Sequence, residues 1–255
     1  MMRYDLTDFE WSVIEPLLPR GRPGPKRKDD RLVLNGIFWV LRSGAPWRDL
    51  PERYGPYTTV YNRFNRWRKA AIWDRLMAAI SVAYDGDIQM IDSSVIRVHQ
   101  HAAGAKKGGG DRCLGRSRGG MSTKIPAVVD AEGLPVRLAL PPGQASDVHG
   151  ADMLLDHLAA GSVLLGDKGY DADWIREKIE AQDAAPNIPD KSNRKEKHCF
   201  SKALYKERNR VERFFSKIKH FRRVATRYEK LGDNFLAMVK LAAIRIWLRS
   251  IEPTA

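Results

Sequence analysis

Long apolar runs are missing from this sequence. No stretch approaches the roughly 18 consecutive apolar residues that a membrane-spanning helix needs. The first residues carry no apolar signal-peptide core. Cysteine is scarce: Cys113 and Cys199 are the two present, and neither belongs to a CxxC pair. That spacing argues against a disulfide scaffold or a zinc–thiolate site. Acidic charge is also in deficit, with 31 Asp and Glu against 44 Lys and Arg, a net charge of +13. These absences point away from membrane and small secreted classes. They favour a soluble, intracellular chain with a polyanionic partner.

At 255 residues the chain can hold one large core or two modest domains. Residues 1–85 read as a helical DNA-binding domain and 86–255 as a catalytic domain. In the first part, Thr7-Asp8-Phe9-Glu10 is a capping box that opens a helix. A loop over 20–31, rich in Gly, Pro and basic residues, leads to a second helix starting at Asp29 or Asp30 and broken at Gly44. A third helix over 57–69 is expected to turn Val60, Tyr61, Phe64 and Trp67 inward and Arg63, Arg66, Arg68 and Lys69 mostly outward. A fourth covers 72–84. Compact helices ending in a basic amphipathic one resemble a helix-turn-helix domain, with those four cations as DNA-binding candidates.

The pattern changes after Asp85-Gly86-Asp87. A strand is expected over 88–98, a Gly- and Lys/Arg-rich loop over 103–120, and a hairpin of strands 124–129 and 134–140. A helix over 148–159, a buried strand over 162–166, a helix over 172–181 and a strand over 184–188 follow. A final helix runs over 234–251. Paired strands followed by strands alternating with helices indicate an α/β fold with a mixed sheet.

The charge excess is concentrated. Residues 191–223 hold 13 Lys and Arg against 3 Glu. Phe200, Tyr205, Phe214, Phe215 and Phe221 interleave with those charges, which indicates a folded face. Read as one helix, 205–219 returns Tyr205, Arg208, Glu212 and Lys219 to a single face. One carboxylate among cations suits a hard metal ion beside a phosphate backbone. Two further acids stand beside apolar residues, where an unpartnered carboxylate is costly. Asp92 follows Gln89-Met90-Ile91, and Asp167 ends Val163-Leu164-Leu165-Gly166, at the strand end where α/β proteins place their sites. Strand-end acids also cap following helices, and Asp171 is an alternative cap here. Three carboxylates on separate elements can share two divalent ions. His99-x-His101 lacks a third nearby ligand and reads as a polar strand or loop feature.

Asp92-Ser93-Ser94, Asp167-Lys168-Gly169-Tyr170 and the Tyr205/Arg208/Glu212/Lys219 spacing resemble the three motif regions of DDE transposases from bacterial insertion sequences. The stretches Leu6-Thr7-Asp8-Phe9-Glu10-Trp11 and Gly44-Ala45-Pro46-Trp47-Arg48-Asp49-Leu50-Pro51 resemble the helical domain of the "IS five" family. The resemblance implies a ribonuclease-H-like catalytic domain after a small helical one. It implies that Asp92, Asp167 and Glu212 hold two Mg²⁺ ions, with Mn²⁺ able to substitute, and that Tyr205, Arg208 and Lys219 take accessory catalytic positions. It implies double-stranded DNA as partner, at terminal inverted repeats and at a target. The activity expected is cleavage followed by transfer of the 3′-OH end, by a homo-oligomer on DNA in the nucleoid-associated cytoplasm, without a membrane. A metal-dependent nuclease that cuts without joining and an inert DNA-binding regulator are the alternatives. One departure stands out. Thr123-Lys124-Ile125-Pro126 carries proline where such relatives carry histidine, and proline is disfavoured in a central strand. Either that strand is an edge or the copy is partly impaired.

Overall fold

The computed structural model describes residues 4–19, 28–81, 86–104, 112–117, 119–142 and 147–253, the last segment by backbone alone over 147–149. Most of the loop expected over 20–31, the end of the fourth helix at 82–85 and the middle of the loop over 103–120 lie outside the described residues.

Four helices come first: α1 (Asp8–Ile14), α2 (Asp30–Ser43), α3 (Tyr57–Lys69) and α4 (Ile72–Ser81). The capping box forms as the sequence predicts. The Glu10 amide donates to the Thr7 hydroxyl at 3.0 Å and the Thr7 amide to Glu10 Oε2 at 2.8 Å. Asp29 caps α2 through the Leu32 amide, and Gly44 ends it in the left-handed conformation at φ 79°.

A mixed sheet follows. Its strands are β1 (Ile88–Val98), β2 (Gly115–Ser117), β3 (Gly120–Val129), β4 (Pro135–Leu138), β5 (Val163–Leu165), β6 (Ala185–Asn187) and β7 (Thr226–Arg227). The main order is β2-β3-β1-β5-β6, with β4 beside β3 and β7 beside β1. β1 pairs antiparallel with β3 and parallel with β5 and β7. The helices of this part are α5 (Gln100–Ala103), α6 (Asp147–Asp152), α7 (Asp173–Glu180), α8 (Lys202–Glu207), α9 (Asn209–Lys219), α10 (Arg222–Ala225) and α11 (Gly232–Ile251).

Strand alternation sorts side chains onto two cores. Met90, Ile96, Ile125, Ala127 and Leu165 join the larger core, with α9, α11 and the four N-terminal helices. Ile91, Val128 and Leu164 join the smaller one, with α6 and α7. The N-terminal helices also meet α11 through polar links. Arg245 on α11 pairs with Glu10 at 2.8 Å and donates to the Asp5 carbonyl at 2.7 Å, and Lys240 pairs with Asp74.

Three expectations need correction. The helix expected over 148–159 ends at Asp152, because the Gln182 side chain binds the Leu158 amide and the Leu155 carbonyl that a helix would have used. The single helix over 205–219 is two, α8 and α9. They meet at Arg208, where i→i+3 hydrogen bonds from Arg208 to Tyr205 and from Val211 to Arg208 tighten the turn. Pro126 sits in β3 between two strands of the sheet, yet without conflict. On the side away from β1, β2 covers residues 120–122 and β4 covers 127–129, so Pro126 falls in the gap. Its ring fills the space over Gly150, where a Cβ would come within 3.1 Å.

Candidate active site

Asp92 shares a face of β1 with Met90 and Ile96, so strand geometry aims it toward α9. β5 runs parallel beside β1 with Met90 opposite Leu165. Asp92 and Asp167 are each two residues beyond that pair. The Asp167 charge reaches Asp92 and adds to the upward push on its carboxyl. Burial is the main cause of that push, and the Ser93 amide and Arg208 oppose it.

α9 brings Glu212 to the same place. Arg208 Nη1 donates to Asp92 Oδ2 at 2.9 Å and its Nη2 to Glu212 Oε1 at 2.8 Å. One guanidinium thus spans two carboxylates 116 and 4 residues away in sequence. Burial works against the Arg208 charge, but Asp92, Tyr205 and Glu212 together outweigh it and hold the group above its ordinary range. Tyr205 lies under the same guanidinium at 5.7 Å and packs edge-on against Phe200. Lys219 is exposed seven residues past Glu212, about 10 Å along the helix.

Asp167 also caps a helical turn, Lys168–Tyr170, through the Gly169 amide at 2.8 Å. Capping and site placement therefore coexist in one residue. Asp171 is not the α7 cap; Ala172 holds that position without a side-chain bond.

The three carboxylates offer oxygen donors of the kind a hard divalent ion takes. Asp92 is 20% exposed and Glu212 54% exposed, so both remain reachable. Among the described residues, a set of three acidic or imidazole ligand atoms within 4.8 Å occurs elsewhere, at Asp171, Asp190 and His198. That cluster is already neutralised. Asp171 is fully buried and takes hydrogen bonds from Arg176, Arg194 and the Lys191 amide. Asp190 pairs with Arg176 and with His198. Two guanidinium groups at these carboxylates would repel a cation, so the cluster reads as a buried ion-pair network. Sequence reasoning missed it. The signal available was Arg176 five residues past Asp171, within reach of the same turn. His99 and His101 form a polar feature as expected: His99 caps α5 through the His101 amide.

The expected faces of α3 need two corrections. Arg63 is buried, paired with Asp30 and lying over Trp67 at 5.2 Å, while Tyr61 is 38% exposed. Val60, Arg63, Phe64 and Trp67 follow the i, i+3, i+4, i+7 stripe that faces a core. Arg68 pairs with Asp233 at 3.1 Å. Arg66 and Lys69 stay exposed and border a shallow groove with Asn62 and Asn65.

A mixed sheet presenting acids from β1, the β5 end and a facing helix defines a class of DNA-strand-processing fold. Residues 83–247 match the family model described as "Transposase DDE domain", and residues 6–77 match "Putative transposase of IS4/5 family". The chain belongs to the DDE transposases of the IS4/5 type. The DDE domain implies dependence on a divalent metal ion. A relative from Brucella ovis, "Putative transposase for insertion sequence element IS6501", is 41% identical over 130 residues, covering 51% of this chain and 100% of that protein. An uncharacterized protein, y4sN, from Sinorhizobium fredii is 41% identical over 109 residues, covering 42% of this chain and 87% of that one. Among solved structures, the piggyBac transposase synaptic complex with hairpin DNA aligns over 95% of this chain and 70% of that chain, with a TM-score of 0.53 at 10% identity. The fold is ribonuclease-H-like, preceded by a helical region. Among the described residues, no helix is long and apolar enough to cross a membrane.

Proposed function

We propose that this transposase binds the terminal inverted repeats of its element as a homo-oligomer, cleaves the DNA there and joins the freed 3′-OH to target DNA. The carrying observation is the meeting of Asp92 and Glu212 on Arg208 beside Asp167. Asp92, Asp167 and Glu212 would hold two Mg²⁺ ions, with Mn²⁺ able to substitute. Bound there, the metal supplies Lewis-acid stabilisation of charge on the phosphate oxygens. The chain's own residues do the rest. Asp92 is fixed by the Ser93 amide at 2.7 Å and Asp167 by the Gly169 amide, so both carboxylates are oriented before DNA arrives. Arg208 answers two negative charges in the DNA-free protein and would turn to a backbone phosphate once a metal ion answers them. Lys219 lies further along the same helix as a phosphate contact, and Tyr205 supports the Arg208 guanidinium. Residues 1–85 grip DNA, with Arg66 and Lys69 as surface contacts, while 86–255 carry the chemistry.

The test uses duplexes bearing the sequences that flank the gene, with Mg²⁺ and a target plasmid. Nicking at the repeat ends and joined products are expected. Asp92→Asn, Asp167→Asn and Glu212→Gln should each lose both while still retarding DNA in gels. Undiminished cleavage by one variant removes that residue from the mechanism. Cutting without joined products makes the protein a nuclease.

A further inference from the structure

The segment between β6 and α8, residues 188–201, holds no helix or strand, yet it is tied down at several points. Its ends are joined. The Asn187 side chain accepts from the Ser201 amide at 2.8 Å and donates to the Ser201 carbonyl at 3.2 Å. Closed ends make it an Ω-loop, a surface form frequently used for function. Within it, Arg194 reaches Asp171 at 3.0 Å and Asp173 at 2.6 Å, and the Lys191 amide donates to Asp171 at 2.8 Å. His198 meets Asp190 through its amide at 3.0 Å and its ring at 2.8 Å. No buried apolar side chain anchors residues 190–199. Ordering a loop costs conformational entropy, and polar bonds alone offset that cost here.

The loop adjoins the carboxylate site at both ends. Asp171, to which it is tied, is four residues beyond Asp167. Phe200 packs edge-on against Tyr205, with ring centroids 5.2 Å apart, and Tyr205 lies under Arg208. The inward bonds use Lys191, Arg194 and His198. They leave Lys195, Lys197 and Lys202 exposed. Lys197 donates to the Lys191 carbonyl at 3.3 Å, and among the described residues none of the three pairs with an acid. Lys202 is one turn from Tyr205 on the same face of α8.

This arrangement selects a partner. A solvated loop would carry the same charges without fixed positions. Lysines spread along an open, fixed strap suit a chain of anions rather than one enclosed ion. Each meets a phosphate as a point charge and reads no base. We propose that the 188–201 loop, with Lys202 where it enters α8, is a phosphate clamp. Lys195, Lys197 and Lys202 grip the DNA backbone flanking the phosphate that reacts at Asp92, Asp167 and Glu212. The ion pairs of Asp171 and Asp190 hold those lysines in place, so a stabilising cluster also positions a binding surface. The proposal rests on the reading of the chain as DNA-processing and adds a contact region apart from α3 and α9.

Lysine acetylation of the full chain, read by mass spectrometry, tests it. The probe is a duplex carrying the sequence that flanks the gene, without divalent ions. DNA should slow acetylation of Lys195, Lys197 and Lys202 several-fold and leave Lys178, held by Asp152 and Asp156, unchanged. Fluorescence anisotropy gives a second readout. Lys195→Ala with Lys197→Ala and Lys202→Ala should lower the salt slope of duplex binding by about three, near one unit for each phosphate contact. Asp190→Ala, folded by circular dichroism, separates a clamp from summed charge. It removes an acid, so summed charge alone would tighten binding. A clamp should bind several-fold more weakly because the loop is released, and trypsin should cut faster after Lys195 and Lys197. Unprotected lysines, or a salt slope unchanged in the triple variant, overturn the clamp while duplex binding keeps the transposase reading in place. So does tighter binding by Asp190→Ala. Absence of duplex binding by the unaltered chain overturns the DNA-processing reading and the clamp together.

Discussion

Two clusters of arginine and aspartate sit in this protein, and they do opposite things. At Asp171, two guanidinium groups and a backbone amide fill every acceptor of a fully buried carboxylate. Around Asp92, a single guanidinium is shared between two carboxylates, a third stands nearby, and Glu212 is more than half exposed. The composition is similar, but the charge balance is not. A carboxylate whose charge is fully answered by the protein holds the fold together. One that is answered only in part, near the surface, keeps the free charge that the proposed metal and DNA contacts require. The tighter geometric cluster is therefore the poorer metal site.

Substitutions should separate the clusters cleanly. Asp92→Asn and Glu212→Gln should lower cleavage by roughly 10²–10³-fold, with a melting transition close to that of the unaltered chain. Asp171→Asn should do the reverse, removing about 3–5 kcal/mol of stability by leaving Arg176 and Arg194 buried without their partner. Urea titration beside a cleavage assay measures both. If Asp171→Asn folds normally and loses activity, the assignment of the two clusters is inverted.

Acid should weaken the Asp171 cluster. Burial alone would raise the Asp171 carboxyl, but hydrogen bonds from Arg194, the Lys191 amide and Arg176 hold it well below its usual range. The folded state thus binds this proton more weakly than the unfolded state. Its stabilisation is complete above the ordinary carboxylate value of 3.8 and is lost as pH falls below it. Denaturation midpoints should drop from pH 5 to pH 3 in the unaltered chain, and Asp171→Asn should flatten that slope. An unchanged slope would place the acid-sensitive group elsewhere.

Arg208→Gln sharpens the comparison from the other side. Removing the shared cation should tighten Mn²⁺ binding in the absence of DNA by about tenfold, read by calorimetry. Weaker Mn²⁺ binding would mean that Arg208 mainly holds the carboxylates in place. On α3 the exposed and the buried cations should behave differently. Arg66→Ala with Lys69→Ala should reduce the salt dependence of DNA binding by about two units of slope. Arg63→Ala should leave that slope alone and cost about 3 kcal/mol of stability through its broken pair with Asp30.

Much of the site was legible because it rests on local rules. Asp92 could be placed on a strand from its apolar neighbours, and Asp167 at a strand end. Glu212 could be assigned to a helix from the spacing of its basic partners. The capping box at Thr7 and the boundaries of α3 were legible for the same reason. Arg63 was misread because its charge outweighed its position in the Val60–Phe64–Trp67 stripe. The kink at Arg208 was missed because both of its sides have helical periodicity.

The sequence by itself determined the order of the longer elements, and it pointed to three acids as candidates for one site and to a polyanionic partner. These depend on periodicity, on the cost of an acid among apolar residues and on summed charge. Only the tertiary structure decided how those acids are answered. Arg208 reaches Asp92 across 116 residues, and Arg194 reaches Asp171 across 23. It also decided that Pro126 falls in a gap between β2 and β4. Contacts of that kind are set by chain topology and long-range packing, which local pattern does not encode.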